Sequence, residues 1–227
     1  MVNLLLSGGG IKSDIKLVKL VVSLIPKKGR LLYIPVAMPS TSYSFGQCYD
    51  WITTTFERHG LCRVDMWTDL SDRKYEDLAK YSAVFIGGGN TFHLLNLIRK
   101  TSFDRLLIKY IKNNKPVYGG SAGAIILGRN IGTAYFGGDA DKNEVGIKNL
   151  KGLNLVNGYS IACHHNKKSY DKDVIMYSKR TEILTIALPD GTGLHVKDKK
   201  IIVVGPKSAT VFKGKARKVF KAGSLII

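Results

Sequence analysis

The sequence predicts an α/β fold: a three-layer, mostly parallel sheet with helices on both faces, closed by antiparallel hairpins at the C-terminal end. Three observations predict it. Short apolar runs alternate with amphipathic stretches through the first half of the chain, which is the βαβα rhythm of a parallel sheet. Glycine-rich turns end several of those runs, at Ser7-Gly8-Gly9-Gly10, Gly87-Gly88-Gly89 and Gly119-Gly120-Ser121-Ala122-Gly123. The 227 residues, 44% of them hydrophobic, suffice for one large domain with a full core.

The elements follow in order. Asn3 to Leu6 reads as the first strand. Ile15 to Ile25 is a helix, with Ile15, Val18, Val22 and Ile25 at helical spacing and Pro26 to stop it. Arg30 to Val36 is a strand, Phe45 to His59 a helix ended by Gly60, and Cys62 to Trp67 the third strand. A short helix at Tyr75 to Lys80 leads to a strand at Ala83 to Ile86. Thr91 to Lys100 and Phe103 to Asn113 are helices, and Lys115 to Tyr118 is the fifth strand. The second half differs. Ile131 to Ser160 is glycine-rich with no long helix. Tyr159 to Cys163 and Ile183 to Leu188 read as strands flanking a helix near Asp173 to Ser178. Leu194 to Val196, Ile201 to Val204, Thr210 to Phe212 and Arg217 to Phe220 read as hairpin strands. No linker, low-complexity segment or repeat interrupts the chain, so residues 1–227 are read as a single domain.

Composition narrows the function. The formal net charge is +18. The lysines recur at element ends and in polar turns, and no RNA- or DNA-binding motif accompanies them. Such charge speaks first to solubility and non-specific binding, so no specific nucleic-acid partner is expected. No apolar run reaches the roughly 18 residues that span a bilayer, and no membrane role is expected. Met1 to Leu6 lacks a basic leader and reads as a strand rather than a signal peptide. Cys48, Cys62 and Cys163 are few, odd in number and scattered. They point to a reducing cytoplasm and away from disulfides or a zinc site. No metal or cofactor is expected, and nothing sets the oligomeric state.

Gly119-Gly120-Ser121-Ala122-Gly123 carries the most chemistry. It reads as a nucleophile elbow, a G-x-S-x-G turn between strand and helix that exposes a serine hydroxyl. The plain alternative is a glycine-rich turn that binds phosphate. A serine needs a base, and the base needs an orienting acid. His59 ends a helix, His93 lies in one, and His195 sits in a terminal hairpin. His164 and His165 close the apolar run Tyr159 to Cys163, at a strand end, where sites form in open parallel sheets. Either is placed to meet Ser121. The acid is Asp190, which follows the strand Ile183 to Leu188, or its rival Asp139 in Gly137-Gly138-Asp139. Cys163 is read as a small core residue, because neighbours in extended chain point to opposite faces. Gly87-Gly88-Gly89-Asn90 supplies bare backbone beside a helix start. Gly89 and Ala122 are the expected oxyanion-hole donors, and Asn90 the expected helix cap and substrate contact.

These motifs together resemble the peptidase E family, the aspartyl dipeptidases, with cyanophycinase as a more distant relative. The resemblance runs nearly end to end. It rests on an apolar strand entering Gly87-Gly88-Gly89-Asn90-Thr91-Phe92, on Gly120-Ser121-Ala122-Gly123-Ala124, on Ile161-Ala162-Cys163-His164, and on Leu188-Pro189-Asp190-Gly191. It implies a fold like the class I glutamine amidotransferase domain and a serine-peptidase mechanism. Ser121 would then be the nucleophile, His164 the base and Asp190 the acid, where the dipeptidases carry a glutamate one methylene longer. The implied substrate is a short peptide, or an amide near an N-terminal residue. The family's arginine for the aspartyl side chain has no counterpart in Asn166-Lys167-Lys168-Ser169-Tyr170-Asp171. Aspartyl specificity is therefore not implied, since lysine does not replace a planar fork. The competing readings are a repurposed small-molecule-binding relative and a basic nucleic-acid-associated protein.

Overall fold

A computed structural model describes residues 2–10, 14–38, 43–137 and 140–227. The strands are β1 (Asn3–Ser7), β2 (Leu31–Ile34), β3 (Val64–Met66), β4 (Ala83–Ile86), β5 (Val117–Gly120), β6 (Ser160–Ala162), β7 (Thr185–Ala187), β8 (Gly193–Lys197), β9 (Lys200–Val204), β10 (Ala209–Lys213) and β11 (Ala216–Phe220). The helices are α1 (Ile15–Leu24), α2 (Phe45–Glu57), α3 (Tyr75–Ala79), α4 (Thr91–Lys100), α5 (Phe103–Lys112), α6 (Ala122–Leu127) and α7 (Asp171–Thr181).

The main sheet runs β3-β2-β4-β5-β1-β8-β9. Its first five members are parallel; β8 adds antiparallel to β1, and β9 adds antiparallel to β8. Strand periodicity sorts the core into two layers. Leu4, Leu6, Ile34, Val84, Ile86 and Val117 face one way, onto buried residues of α4, α5 and α6. Leu5, Leu31, Tyr33, Phe85 and Tyr118 face the other way, onto α1 and α2. Each fully buried leucine or phenylalanine contributes on the order of 1.5–3 kcal/mol. The expected mixed sheet with helices on both faces is thus present.

The second half departs from expectation in one respect. The strands after α6 do not all extend the main sheet. β6, β7, β10 and β11 form a second, four-stranded sheet in the order β11-β10-β7-β6. The reason is edge occupancy. β1 already pairs with β5 on one side and β8 on the other, so no edge beside the central strands is left for β6. It pairs in parallel with β7 instead.

This topology gathers the glycine-rich turns. β4, β5 and β1 are neighbours, with Ile86 paired to Gly119 and Ser7 to Gly120. The turns after all three strands therefore open at one carboxyl edge. In the second sheet Ala162 pairs with Ala187, so Cys163-His164 and Leu188 to Asp190 leave their strands side by side.

Candidate active site

Ser121 occupies the turn between β5 and α6 at φ 48°, ψ −110°. This is a strained conformation for a residue with a side chain, of the kind that persists only when its surroundings enforce it. They do so by close packing. A Cβ on Gly123 would lie 2.3 Å from the carbonyl oxygen of Ile86, and one on Gly119 would lie 2.6 Å from that of Gly123. Only glycine lets strand and helix approach this closely. The Ser121 N–H donates to the carbonyl of Ser7 at 3.1 Å, tying the elbow to the end of β1.

His164 stands across from it. Ser121 Oγ and His164 Nε2 are 2.7 Å apart. On the far side of the ring, His164 Nδ1 is 2.8 Å from Asp190 Oδ1. The shorter aspartate thus spans the gap for which a glutamate would have an extra methylene. Asp190 is itself held at both ends: Asn166 Nδ2 donates to its Oδ2 at 2.8 Å, and its own N–H donates to Asn166 Oδ1 at 2.9 Å. The His164 N–H donates to the carbonyl of Gly8 at 2.8 Å. Of the two acids considered from sequence, Asp190 meets the histidine. Asp139 lies outside the described residues.

The neighbouring histidine has a different environment. His165 Nε2 lies 3.0 Å from Asp171 Oδ1, and Arg217 pairs with the other oxygen of Asp171. Its ring packs edge-on to Phe212. Burial lowers its pKa first and most, against the raising effect of Asp171. His59 lies at the end of α2, and His195 bonds Asn3 Oδ1 at 2.9 Å. His93, on α4, lines the cavity beside Ser121, which sequence reasoning did not anticipate.

Cys163 corrects the expectation of a plain core residue. Both Cys163 and His164 line the cavity. The alternation of an extended chain breaks here because His164 adopts φ 55°. The Cys163 thiol donates to the carbonyls of Ser7 and Ser121, each at 3.6 Å. Burial, then the carboxylates of Asp190, Asp14 and Asp141, push its pKa well up. It stays a thiol, which is the inert form.

The cavity over Ser121 has a volume of about 1410 Å³. Gly89 and Asn90 line it, while Gly88 packs against the serine: a Cβ there would lie 3.2 Å from that of Ser121. Asn90 caps α4, its Oδ1 accepting from the His93 N–H at 2.9 Å. Its Nδ2 donates to the carbonyl of Lys142 at 2.8 Å. Asp141 and Glu144 also line the cavity. Asp141 Oδ2 accepts from the Thr91 N–H at 2.8 Å, a carboxylate at the start of a helix. Lys167 and Lys168 are exposed and are not among the lining residues. Among the described residues no group of three or more His, Cys, Asp or Glu is placed to hold a metal ion. No described helix is long and apolar enough to cross a membrane.

A serine on a strained strand-to-helix turn, bonded to a histidine that is bonded to a carboxylate, is the arrangement from which nucleophilic serine hydrolases are built. Comparison with known proteins narrows this class. Residues 3–204 match peptidase family S51, and the chain belongs to that family of serine-type peptidases. An uncharacterized peptidase of Listeria monocytogenes is 33% identical over 144 residues, 61% of this chain and 68% of that protein. Peptidase E of a Nostoc species is 28% identical over 155 residues, 63% of this chain and 61% of the relative. The matched stretches thus cover about two thirds of these relatives, or somewhat less. A crystal structure of a peptidase E protein from L. monocytogenes EGD-e superposes with a TM-score of 0.64 at 25% identity, covering 98% of this chain and 100% of that one. A peptidase from an acI-B1 actinobacterium shares the fold, with a TM-score of 0.75 at 18% identity, covering 100% and 96%.

Proposed function

We propose that this chain is a serine peptidase that cleaves short peptides, or an amide near an N-terminal residue. The observation that carries the proposal is the unbroken contact from Ser121 Oγ to His164 Nε2 at 2.7 Å and from His164 Nδ1 to Asp190 Oδ1 at 2.8 Å. Ser121 attacks the scissile carbonyl while His164 takes its proton. His164 returns that proton to the departing amine, leaving an acyl-enzyme. A water, deprotonated by His164, releases the acid and restores Ser121. Asp190 holds the imidazole in the tautomer whose Nε2 accepts, and stabilises the imidazolium. The N–H groups of Gly89 and Ala122 hold the oxyanion.

The cavity suits a substrate with a free amino terminus. Asp141 and Glu144 supply negative charge to an ammonium, and Asn90 lines the same cavity as they and Ser121 do. The described lining has one lysine, Lys142, and no arginine. Selectivity for an N-terminal aspartate is accordingly weak in this reading. Residues 1–227 act as a single peptidase E-like domain, related to the class I glutamine amidotransferase fold. It works in the cytoplasm, where Cys48, Cys62 and Cys163 stay free. It needs neither a specific nucleic acid nor a membrane.

A dipeptide-library screen tests this. The wild-type protein should hydrolyse a subset of the library, and Ser121→Ala should lower turnover by roughly 10⁴–10⁶ while leaving the fold intact. Retention of most activity by Ser121→Ala would refute the mechanism.

A further inference from the structure

We propose that Asp14 is a positioning residue of this site: a buried carboxylate that braces the Gly8-Gly9 backbone against His164 and Asp190 and holds negative charge beneath them. The inference rests on the reading of Ser121, His164 and Asp190 as the reacting groups.

Asp14 lies just before α1 and is 1% exposed. A helix cap would be the ordinary use of an aspartate there, yet its side chain makes no capping hydrogen bond. It turns inward instead. Asp14 Oδ2 accepts from Ser7 Oγ and, at 2.9 Å, from the Tyr118 hydroxyl. Asp14 Oδ1 is buried with no hydrogen-bond partner among the described residues. Leaving a buried carboxylate oxygen unsatisfied is costly, and an apolar residue of similar size would avoid that cost.

What Asp14 supports is the turn after β1. Ser7 Oγ, held by Asp14, accepts from the Gly9 N–H at 3.0 Å. Gly9 touches both members of the proposed pair: a Cβ there would lie 2.1 Å from His164 Cε1 and 2.8 Å from Asp190 Oδ1. The Gly8 carbonyl accepts from the His164 N–H at 2.8 Å, and the Gly9 carbonyl from the Gly191 N–H at 2.9 Å. The backbones of base and acid thus both hang on a two-residue segment whose anchor is Ser7 and Asp14.

The charge matters as much as the bracing. Among the described residues, the titratable groups facing Asp14 are Tyr118 on β5, Asp190 after β7 and Cys163 after β6. Burial pushes the Asp14 carboxyl from 3.8 up to about 6, the hydrogen bonds from Ser7 and Tyr118 hold it down, and Asp190 adds a further upward push. Above that pH the ionised group favours the imidazolium that forms when His164 takes the serine proton. Below it the support is lost.

The rate at which a fluorophosphonate modifies Ser121, followed against pH, tests this without any knowledge of the substrate. The wild-type acid limb should show two ionisations, one from the base and one from Asp14. Asp14→Asn should show a single ionisation and a plateau rate lower by roughly 10- to 100-fold, the scale of a displaced reacting group. Tyr118→Phe removes one bond that favours the ionised carboxylate, so it should keep two ionisations and move the Asp14 step to higher pH. It decides the matter alone if Asp14→Asn fails to fold. Labelled wild-type protein with one ionisation, an Asp14→Asn profile of wild-type shape, or a Tyr118→Phe step that does not move would overturn the role of Asp14 alone. Wild-type protein that is not labelled at Ser121 would overturn the underlying reading as well.

Discussion

Replacing Asp190 by asparagine gives a prediction that the surrounding hydrogen bonds decide. The new amide keeps the shape of the carboxylate but must choose which end faces His164. Asn166 Nδ2 donates to Asp190 Oδ2, and Asn166 Oδ1 accepts from the backbone N–H of residue 190. Asn166 therefore cannot turn over without losing a bond, and it requires an oxygen at the far position. The introduced NH₂ is left to face His164 Nδ1. That holds the imidazole in the tautomer with the proton on Nε2, which cannot accept from Ser121. In a buried triad this change costs about 10⁴ in kcat. The Asp190 side chain is 36% exposed, so water replaces part of the lost charge. We expect a loss of about 10³, equivalent to about 4 kcal/mol in the transition state. The assay is the second-order rate of fluorophosphonate labelling at neutral pH. Adding Asn166→Ala to Asp190→Asn frees the amide to turn and should recover part of the loss. A rate for Asp190→Asn within about threefold of wild type, or no recovery in the double variant, would refute the argument from tautomer control.

Three further expectations concern other residues. His164→Ala should lose as much activity as Ser121→Ala. His165→Ala should keep part of its activity and lose roughly 1–3 kcal/mol of stability in urea unfolding, since a buried partner of Asp171 goes while Arg217 stays; the reverse ranking would reassign the base. Asp14 has a folded-state pKa of about 6 against an ordinary 3.8, so its contribution to stability is full below about pH 4 and is lost as pH rises through 6, by up to about 3 kcal/mol. Asp14→Asn should therefore gain on wild type by up to that amount between pH 4 and 8, and an unchanged difference would contradict the burial argument. Finally, kcat/KM for Asp-Leu and Ala-Leu should be similar at high salt, with any excess for Asp-Leu at low salt fading as the net charge is screened. A large, salt-insensitive preference for Asp-Leu would show that another residue replaces the missing arginine.

The sheet and its turns were legible in the sequence because each depends on local signals. Runs such as Leu4-Leu5-Leu6 and Val84-Phe85-Ile86 are buried on both faces, as parallel strands require. Gly119 and Gly123 announce a close strand-to-helix packing that the structure contains. The second sheet was not legible, since whether β6 joins β1 or β7 depends on which edge β8 has taken. The alternation rule placed Cys163 and His164 on opposite sides, and a single positive φ at His164 defeats it. Asp14, Tyr118 and Asn166 carried no motif that points to the site, and Ser7 only opened a glycine-rich turn. Each is an ordinary residue type, and apart from Ser7 and Asp14 they are far apart in sequence, so only the meeting of β1, β5 and the loops after β6 and β7 brings them together.

The central claim is that Ser121 is the reacting nucleophile, and the most direct measurement is the site of a covalent adduct. Folded wild-type protein is treated with a fluorophosphonate, digested, and the modified peptide sequenced by mass spectrometry. One adduct is predicted, on Ser121, that disappears in Ser121→Ala and in protein unfolded before treatment. An adduct that persists in Ser121→Ala, or folded wild-type protein that takes up no label, would contradict it.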